Sequence, residues 1–397
     1  MPERPVPPAP LGEGRQPRRR DLRQRSDDLR NDPSVPAHPD DDQSARILHW
    51  PGPRPPAVEV PTPTDDRPNA FQRATRRRVL APAAAILAAW AATCLVDGVR
   101  PELLDRLVVS AASVSTVAVV AAIPVVALAI SARHWVIAAV AVVAALVPWA
   151  FVLGYALPGG AAGAGTRLSV MVLDADAGHA DAPSVVAAVA RQPVDVLVVT
   201  EATGLLTHRL TTSGLDHRLA ARWASLPDGS THAGICVYSR YRVTKVEPVA
   251  GTRWPAARLT LDTGRGSVAV IAGRVSPGVH GTDAWRTDLA ALRAASAPRS
   301  GPTVLAGTLD ASAQQPEFRR LTSSGLRDVA AVLGRGVRPT WPSWSPLPLL
   351  PLDHVVVGGG VSVRWIGTVA VAGTSHRALV ADLVVPSAGR QPSPVGD

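Results

Sequence analysis

The hydrophobic and polar positions divide the chain into parts with different patterns. Residues 1–70 alternate proline, arginine and aspartate and have no hydrophobic period of either 2 or 3.6 residues. Such a segment buries too little apolar surface to offset its chain entropy, so we predict a disordered tail over 1–70. A docking role for this tail remains open beside simple solvation. We expect a second, short disordered tail over 388–397.

Three long apolar runs follow the first tail, over residues 79–96, 107–130 and 135–157. Each approaches the roughly 20 helical residues that cross about 30 Å of hydrocarbon, so we predict three transmembrane helices. No ionisable side chain lies inside any of the runs. Because transport paths need such groups, we expect the helices to anchor the chain in the membrane.

The arginines that flank the apolar runs predict an orientation. Positively charged residues favour the cytoplasmic side of membrane helices. We therefore predict a multi-pass plasma-membrane protein with a cytoplasmic N-terminus and an extracytoplasmic C-terminal domain. The arginines on the predicted inner side are Arg73, Arg76, Arg77, Arg78 and Arg133, against Arg100 and Arg106 on the outer side.

The remaining pattern, over 167–387, follows a glycine-rich linker at 158–166 and is typical of a globular domain. Short valine-rich runs bounded by glycine, proline or aspartate alternate with segments of helical spacing. Many short buried strands with few helices predict an α/β (α+β) fold, in which two packed sheets are flanked by helices.

Composition and charge narrow the function only slightly. The net charge is +9, but much of the arginine lies in the first 80 residues, so the charge is weak evidence for nucleic-acid binding by the domain. The two cysteines, Cys94 and Cys236, lie in an apolar run and a strand respectively. This excludes a disulfide framework and a cysteine metal site.

Candidate chemistry is concentrated in polar side chains at predicted strand ends. Hard cations such as Mg²⁺ prefer oxygen ligands, usually carboxylates together with substrate phosphate. A histidine paired with a carboxylate is held in one tautomer and can present its other nitrogen to a phosphoryl oxygen. The candidates are Asp174, Asp176, Glu201, Asp310, Asp353 and His376.

Six short motifs carry a family resemblance through their order: LDADAG, VVTEAT, IAGRVSP, AGTLDAS, PLDHVV and TSHRA. In this order they resemble the endonuclease/exonuclease/phosphatase family, and specifically bacterial members in which three membrane helices precede an external domain. The resemblance covers nearly all of 167–387. It implies a four-layered two-sheet sandwich, a divalent cation (Mg²⁺ or Mn²⁺), and hydrolysis of phosphoester bonds.

The resemblance also assigns roles to individual residues. Glu201 matches the family's metal-binding glutamate, with Asp174 and Asp176 as further candidate metal ligands. Asp353 and His376 match a phosphate-facing pair. Two further candidates come from the residues themselves and not from the resemblance: Asp310 for catalysis and Arg274 for substrate binding.

Each of these assignments has a plainer alternative that stays open. Glu201 fits a solvated residue after a strand, and Asp174 and Asp176 fit strand terminators. A structural hydrogen bond would explain the pairing of Asp353 with His376. Arg274 fits an ordinary surface arginine.

The chain departs from the family pattern at several site positions. Asp174 replaces an asparagine, and Gly273 and Arg274 lie where a histidine is common. Thr308 stands where the family has the aspartate that activates water, and Ser375 replaces the aspartate before the histidine. Asp310 replaces an asparagine. These replacements imply weakened or lost hydrolysis, since a threonine hydroxyl cannot act as a base near neutral pH.

Two functions from different classes therefore remain. The first is a membrane-anchored, outward-facing, metal-dependent phosphoesterase that acts on a phosphodiester, a nucleic acid or a lipid head group. The second is an inactive member of the same fold that binds a phosphorylated ligand or an envelope partner. Loops set specificity in such a fold, so the sequence does not select the substrate.

Overall fold

A computed structural model describes residues 70–157, 159, 163–226, 233–297, 301–323 and 325–387. Residues 1–69 of the tail predicted over 1–70, the tail predicted at 388–397, and linker positions 158 and 160–162 lie outside the described residues.

The N-terminal part is helical. Its four helices are α1 (Ala70–Ala92), α2 (Glu102–Ser113), α3 (Ala118–Ser131) and α4 (Trp135–Ala150), with short 3₁₀ turns at Ser115–Val117 and Leu153–Tyr155. Buried alanines such as Ala91, Ala122 and Ala141 let α1, α3 and α4 pack closely.

The region predicted to be one span over 107–130 is divided into two helices. Helix α2 and the segment Ser115–Ser131 meet at an angle of 56°. The Ser115 hydroxyl donates to the Ala112 carbonyl at 2.7 Å, so the side chain takes the place of a helical backbone donor at the break. Within the described residues no single helix is long and apolar enough to cross a membrane, although this bent pair together meets the length and composition. Three separate spans are therefore not supported.

The domain contains two six-stranded mixed sheets. Sheet A comprises β1 (Thr166–Asp174), β2 (Val196–Ala202), β3 (Ala221–Ser225), β4 (Gly234–Ser239), β11 (Ser362–Val369) and β12 (Ala378–Val385). Sheet B comprises β5 (Arg242–Pro248), β6 (Ala257–Asp262), β7 (Ser267–Arg274), β8 (Thr303–Thr308), β9 (Arg327–Asp328) and β10 (Asp353–Gly358). The strand order is β11-β12-β1-β2-β4-β3 in sheet A and β5-β6-β7-β8-β10-β9 in sheet B.

Both faces of each sheet are covered, which explains the nearly continuous apolar runs of the central strands. Along β1, Val170 and Val172 point into the core between the sheets, whereas Met171 and Leu173 point toward the outer helices. Sheet A carries α5 (Ala182–Arg191) and α6 (Gly204–Thr212), and sheet B carries α7 (Thr282–Ser296) and α8 (Pro316–Thr322). A short helix, α9 (Val329–Leu333), follows β9. The two mixed sheets with helices agree with the predicted sandwich.

Helix α2 belongs to the packing of the domain. Val109 lies in the apolar cluster on the outer face of sheet B, with Trp285 of α7. Arg286 of α7 forms ion pairs with both Asp105 of α2 and Glu317 of α8. Part of the segment predicted to face lipid therefore faces the domain.

Candidate active site

The ends of six strands bring the candidate side chains to one edge of the sandwich. Strands β1 and β2 run parallel in sheet A, and β7 and β8 run parallel in sheet B. The carboxyl ends of parallel neighbours meet at the same edge. A hydrogen bond of 2.7 Å between the hydroxyls of Thr200 and Thr308 joins the two edges. Strand β10 starts there with Asp353 opposite Thr308, and His376 precedes β12.

Asp353 and His376 form a buried pair. His376 Nδ1 lies 2.8 Å from Asp353 Oδ2, and the two residues are 8% and 1% exposed. The other oxygen, Asp353 Oδ1, accepts a hydrogen bond from the Thr308 hydroxyl at 2.7 Å. Burial alone would lower the pKa of His376, but the Asp353 carboxylate beside it raises this pKa to about 9. The predicted pair is thus assembled, and its geometry leaves the His376 Nε2 edge free of Asp353.

Arg274 lies among the candidate metal ligands. Its Nη2 forms an ion pair with Glu201 Oε1, and its Nε lies 3.6 Å from Asp174 Oδ2. The guanidinium carbon stacks 4.7 Å from the ring centre of Trp254. Arg274 is only 8% exposed, so it is not a surface arginine.

Glu201 is held from a second side. The backbone N–H of Ala177 donates to Glu201 Oε2 at 2.5 Å. Glu201 itself has a left-handed backbone with φ of 51°, a conformation that non-glycine residues rarely adopt. Burial and the Asp174 carboxylate raise the pKa of Glu201, while the Arg274 charge opposes that rise. Glu201 is thus a fixed, partnered residue and not a solvated one.

Asp310 supplies the group without a partner. Its Oδ2 is inaccessible to solvent and has no hydrogen-bond partner among the described residues. Its backbone is also left-handed, with φ of 44°. Burial raises the pKa of Asp310 to about 7, with Arg274 opposing the rise and Asp174 adding to it. This oxygen is therefore available to a ligand that the described residues do not provide.

Asp176 plays a positioning part. Its Oδ2 accepts from the backbone N–H of Ser375 at 3.2 Å, and its own N–H donates to Asp174 Oδ1 at 2.9 Å. The carboxylate that was a candidate metal ligand therefore ties the loop after β1 to the loop that carries His376.

A protein-family model matches the domain that forms this edge. The model described as "Endonuclease/Exonuclease/phosphatase family" matches residues 171–387, more than half of the chain. The chain belongs to the endonuclease/exonuclease/phosphatase family. No curated protein sequence matches it.

Solved structures similar to this family member cover about half of the chain. An endonuclease/exonuclease/phosphatase from Bacteroides vulgatus is 13% identical over 55% of this chain and 99% of its own, with a TM-score of 0.46. D. rerio TDP2 complexed with single strand DNA product has the same values. The mannosyl-6-phosphatase Bt3783 from Bacteroides thetaiotaomicron is also 13% identical, covering 55% and 99%, with a TM-score of 0.43.

Endonuclease/exonuclease/phosphatase domains generally depend on a divalent metal, and this site contains a group of side chains that could hold one. Asp174, Asp353 and His376 each offer one ligand atom, and these atoms lie within 4.8 Å of one another. The formal negative charges at the edge exceed the cationic side chains Arg274 and His376, and Asp310 Oδ2 lacks a partner. A divalent cation fits this imbalance. The cation fits the group of Asp174, Asp353 and His376, whereas Glu201 is already paired with Arg274.

Sequence reasoning missed several residues that build the site. Thr200 and Trp254 contact Thr308 and Arg274, and the Thr374 hydroxyl donates to the Asp174 carbonyl at 2.7 Å. Thr200 and Thr374 each lie one or two residues from a predicted site residue, which is a usable signal. Trp254 lies in the connection between β5 and β6, far from every motif, and carried no such signal.

Proposed function

We propose that this endonuclease/exonuclease/phosphatase domain hydrolyses a phosphoester bond at the edge formed by His376, Asp353 and Asp310. The observation that carries the proposal is the buried Asp353–His376 pair at 2.8 Å, together with an Asp310 oxygen that has no hydrogen-bond partner in the described part of the chain. An unpaired buried polar atom is costly, so Asp310 Oδ2 is better explained as a group that receives a ligand than as part of a purely structural pair.

The residues suggest a division of roles. Asp353 fixes His376 through Nδ1, which leaves Nε2 as the ring nitrogen that can serve as a ligand for a cation at this edge. Asp310 can accept the proton of the attacking water as the water oxygen bonds to phosphorus and the ester oxygen leaves. This assignment gives Asp310 the role that Thr308 cannot fill, because the Thr308 hydroxyl is committed to Asp353.

A divalent cation is part of the proposal. Asp174, Asp353 and His376 would hold it, and Mg²⁺ or Mn²⁺ would supply charge neutralisation for the transferring phosphoryl group. Because the group includes an imidazole nitrogen as well as carboxylates, a comparison of the two ions is informative.

We also propose that the helical part attaches the domain to the plasma membrane, with the domain on the extracytoplasmic side. Support comes from large apolar side chains that are open on α3 and α4, such as Val120, Ile123, Val136 and Val143, which are 62%, 63%, 78% and 60% exposed. Exposed apolar area of this kind marks a contact with lipid or with another protein.

The second candidate function is ligand binding without turnover, and a specific observation favours it. Thr308 stands where the family has its water-activating aspartate. Arg274 forms an ion pair with Glu201, the residue that matches the family's metal-binding glutamate. A phosphorylated ligand or an envelope partner would then be bound without hydrolysis.

Hydrolysis by the full chain in detergent distinguishes the two functions. The substrates are an aryl phosphodiester, an aryl phosphomonoester and single-stranded DNA, each with Mg²⁺, with Mn²⁺ and with a chelator. We expect cation-dependent turnover of at least one substrate that Asp353→Asn abolishes. Rates equal to those of Asp353→Asn on every substrate would reject hydrolysis and leave the binding function.

A further inference from the structure

Arg274 is built into the site in a way that a peripheral substrate contact would not require. It is the last residue of β7 and lies opposite Thr308 in the parallel register with β8. Its side chain is 10% exposed and contacts Glu201 by an ion pair on one side and the Trp254 ring on the other. A guanidinium that is stacked and paired in this way has lost most of its freedom before any ligand binds.

Each oxygen of Glu201 already has a partner. Oε1 is paired with Arg274, and Oε2 accepts the Ala177 N–H at 2.5 Å. A metal ion bound at Oε1 would have to displace the guanidinium from that oxygen. Since the displaced charge would stay buried beside Trp254, the displacement would leave an uncompensated cation in a desolvated place.

We propose that Arg274 is a fixed internal cation that takes the place of a divalent metal ion at Glu201, so that Glu201 is not a metal ligand in this chain. The guanidinium compensates Glu201 and Asp174 permanently, because arginine keeps its charge at every accessible pH. The cation of the proposed hydrolysis is confined to the adjoining group of Asp174, Asp353 and His376, which shares Asp174 with the Arg274 contacts but excludes Glu201.

A latent metal site follows from this arrangement. Removal of the guanidinium frees Glu201 Oε1 and leaves Asp174 without its charge partner, so that two carboxylates face each other at the ends of β1 and β2. Oxygen ligands of this kind bind hard divalent cations. Arg274→Ala should therefore acquire a site that the wild type lacks.

Mn²⁺ binding to the full chain in detergent, followed by the electron paramagnetic resonance of free Mn²⁺, tests the proposal without reference to turnover. Four chains are compared: wild type, Glu201→Gln, Arg274→Ala, and the double variant Arg274→Ala/Glu201→Gln. We expect Arg274→Ala to bind one more Mn²⁺ per chain than the wild type, and the double variant to lose that ion. Glu201→Gln alone should bind the same number of Mn²⁺ ions per chain as the wild type, also when that number is zero.

The controls separate the charge effect from damage to the fold. Arg274→Lys keeps a cation and should gain no ion, and Arg209→Ala removes an exposed arginine of α6 and should change nothing. The proposal is overturned if Glu201→Gln weakens wild-type Mn²⁺ binding by about tenfold or more, as loss of a supporting or direct ligand does. It is equally overturned if a folded Arg274→Ala gains no ion. Should Arg274→Ala fail to fold, the Glu201→Gln comparison decides alone. Failure of hydrolysis would leave this result intact, since binding and turnover are measured separately.

Discussion

The Thr308 hydroxyl donates a hydrogen bond of 2.7 Å to Asp353 Oδ1. The replacement of the family's aspartate by threonine has therefore not left a gap. The neutral Thr308 hydroxyl takes the place of a charged carboxylate and orients Asp353 by its hydrogen bond. Asp353 in turn orients His376. The same hydroxyl lies 2.7 Å from that of Thr200, so this one side chain also joins the two sheets.

Thr308→Val tests this supporting role with almost unchanged shape. Loss of the hydroxyl leaves Asp353 Oδ1 and the Thr200 hydroxyl short of a buried partner, which should lower the free energy of unfolding by about 1–3 kcal/mol. Urea denaturation measures the loss. Thr308→Ser keeps the donor and serves as the control, and an equal loss in both variants would show that packing and not the hydrogen bond matters.

Asp310→Asn should separate stability from activity. Burial and the charges of Asp174 and Asp353 disfavour the ionised form of Asp310, and they outweigh the favourable charges of Arg274 and His376. Asparagine removes the charge, keeps the shape and tolerates the left-handed backbone. We expect a gain of about 1–3 kcal/mol in the free energy of unfolding. Turnover should fall by about 10²- to 10⁴-fold, the usual value of a positioned general base.

Urea denaturation and initial rates measure the two effects of Asp310→Asn. Asp283→Asn, at an exposed position in the first turn of α7, is the matched control and should leave both unchanged. A less stable Asp310→Asn with full activity would contradict the role assigned to Asp310.

The ion pair between helix α2 and the domain predicts a pH dependence at acid pH. Arg286 lowers the pKa of Asp105 from 3.8 to about 2, against the opposing effect of burial. A depressed carboxyl pKa stabilises the fold above the unfolded value, and the contribution is lost as the pH falls through about 2. The shift corresponds to about 2 kcal/mol.

Asp105→Asn measures this contribution. The free-energy difference between wild type and variant should be about 3–5 kcal/mol near neutral pH, as for a broken buried pair, and should shrink by about 2 kcal/mol between pH ~5 and pH ~2. Asp97→Asn removes the exposed partner of Arg320 and should cost at most about 1 kcal/mol. A difference for Asp105→Asn that does not change with pH would contradict the assignment.

Gln315 should transmit the position of α2 to the loop that carries Asp310. Its Nε2 donates to the Ser113 hydroxyl at 2.8 Å, and its Oε1 accepts the Ser312 N–H at 2.7 Å. We expect Gln315→Ala to speed amide hydrogen exchange in residues 311–313 and to reduce turnover. Gln192→Ala, at the end of α5, is the control. Unchanged exchange in this loop would exclude the coupling.

The fold was predictable because its signals are local. Valine-rich runs gave strands with both faces buried, and the motif order placed Asp174, Asp310 and Asp353 at strand ends that do meet. The prediction of one continuous helix over 107–130 failed to see the break at Ser115. The break is accompanied by the Ser115 hydroxyl's hydrogen bond and by packing of Val109 against the domain, neither of which alters an apolar run.

The side-chain partners at the site were not predictable in the same way. Arg274 and Glu201 lie on different sheets, so their contact depends on how the two sheets pack. The stacking on Trp254 depends on a loop with no recognisable pattern. Charge balance offered a partial signal, since one arginine stood at a strand end among several carboxylates.

Hydrolysis by His376→Ala, compared with His208→Ala, tests the central claim most directly. His208 is exposed on α6, so the two variants make the same substitution inside and outside the site. With the best substrate of the full chain and saturating Mn²⁺, we predict that kcat of His376→Ala falls by about 10²-fold or more while His208→Ala retains the wild-type rate. Equal rates in all three chains would contradict the claim that this edge of the sandwich is the active site.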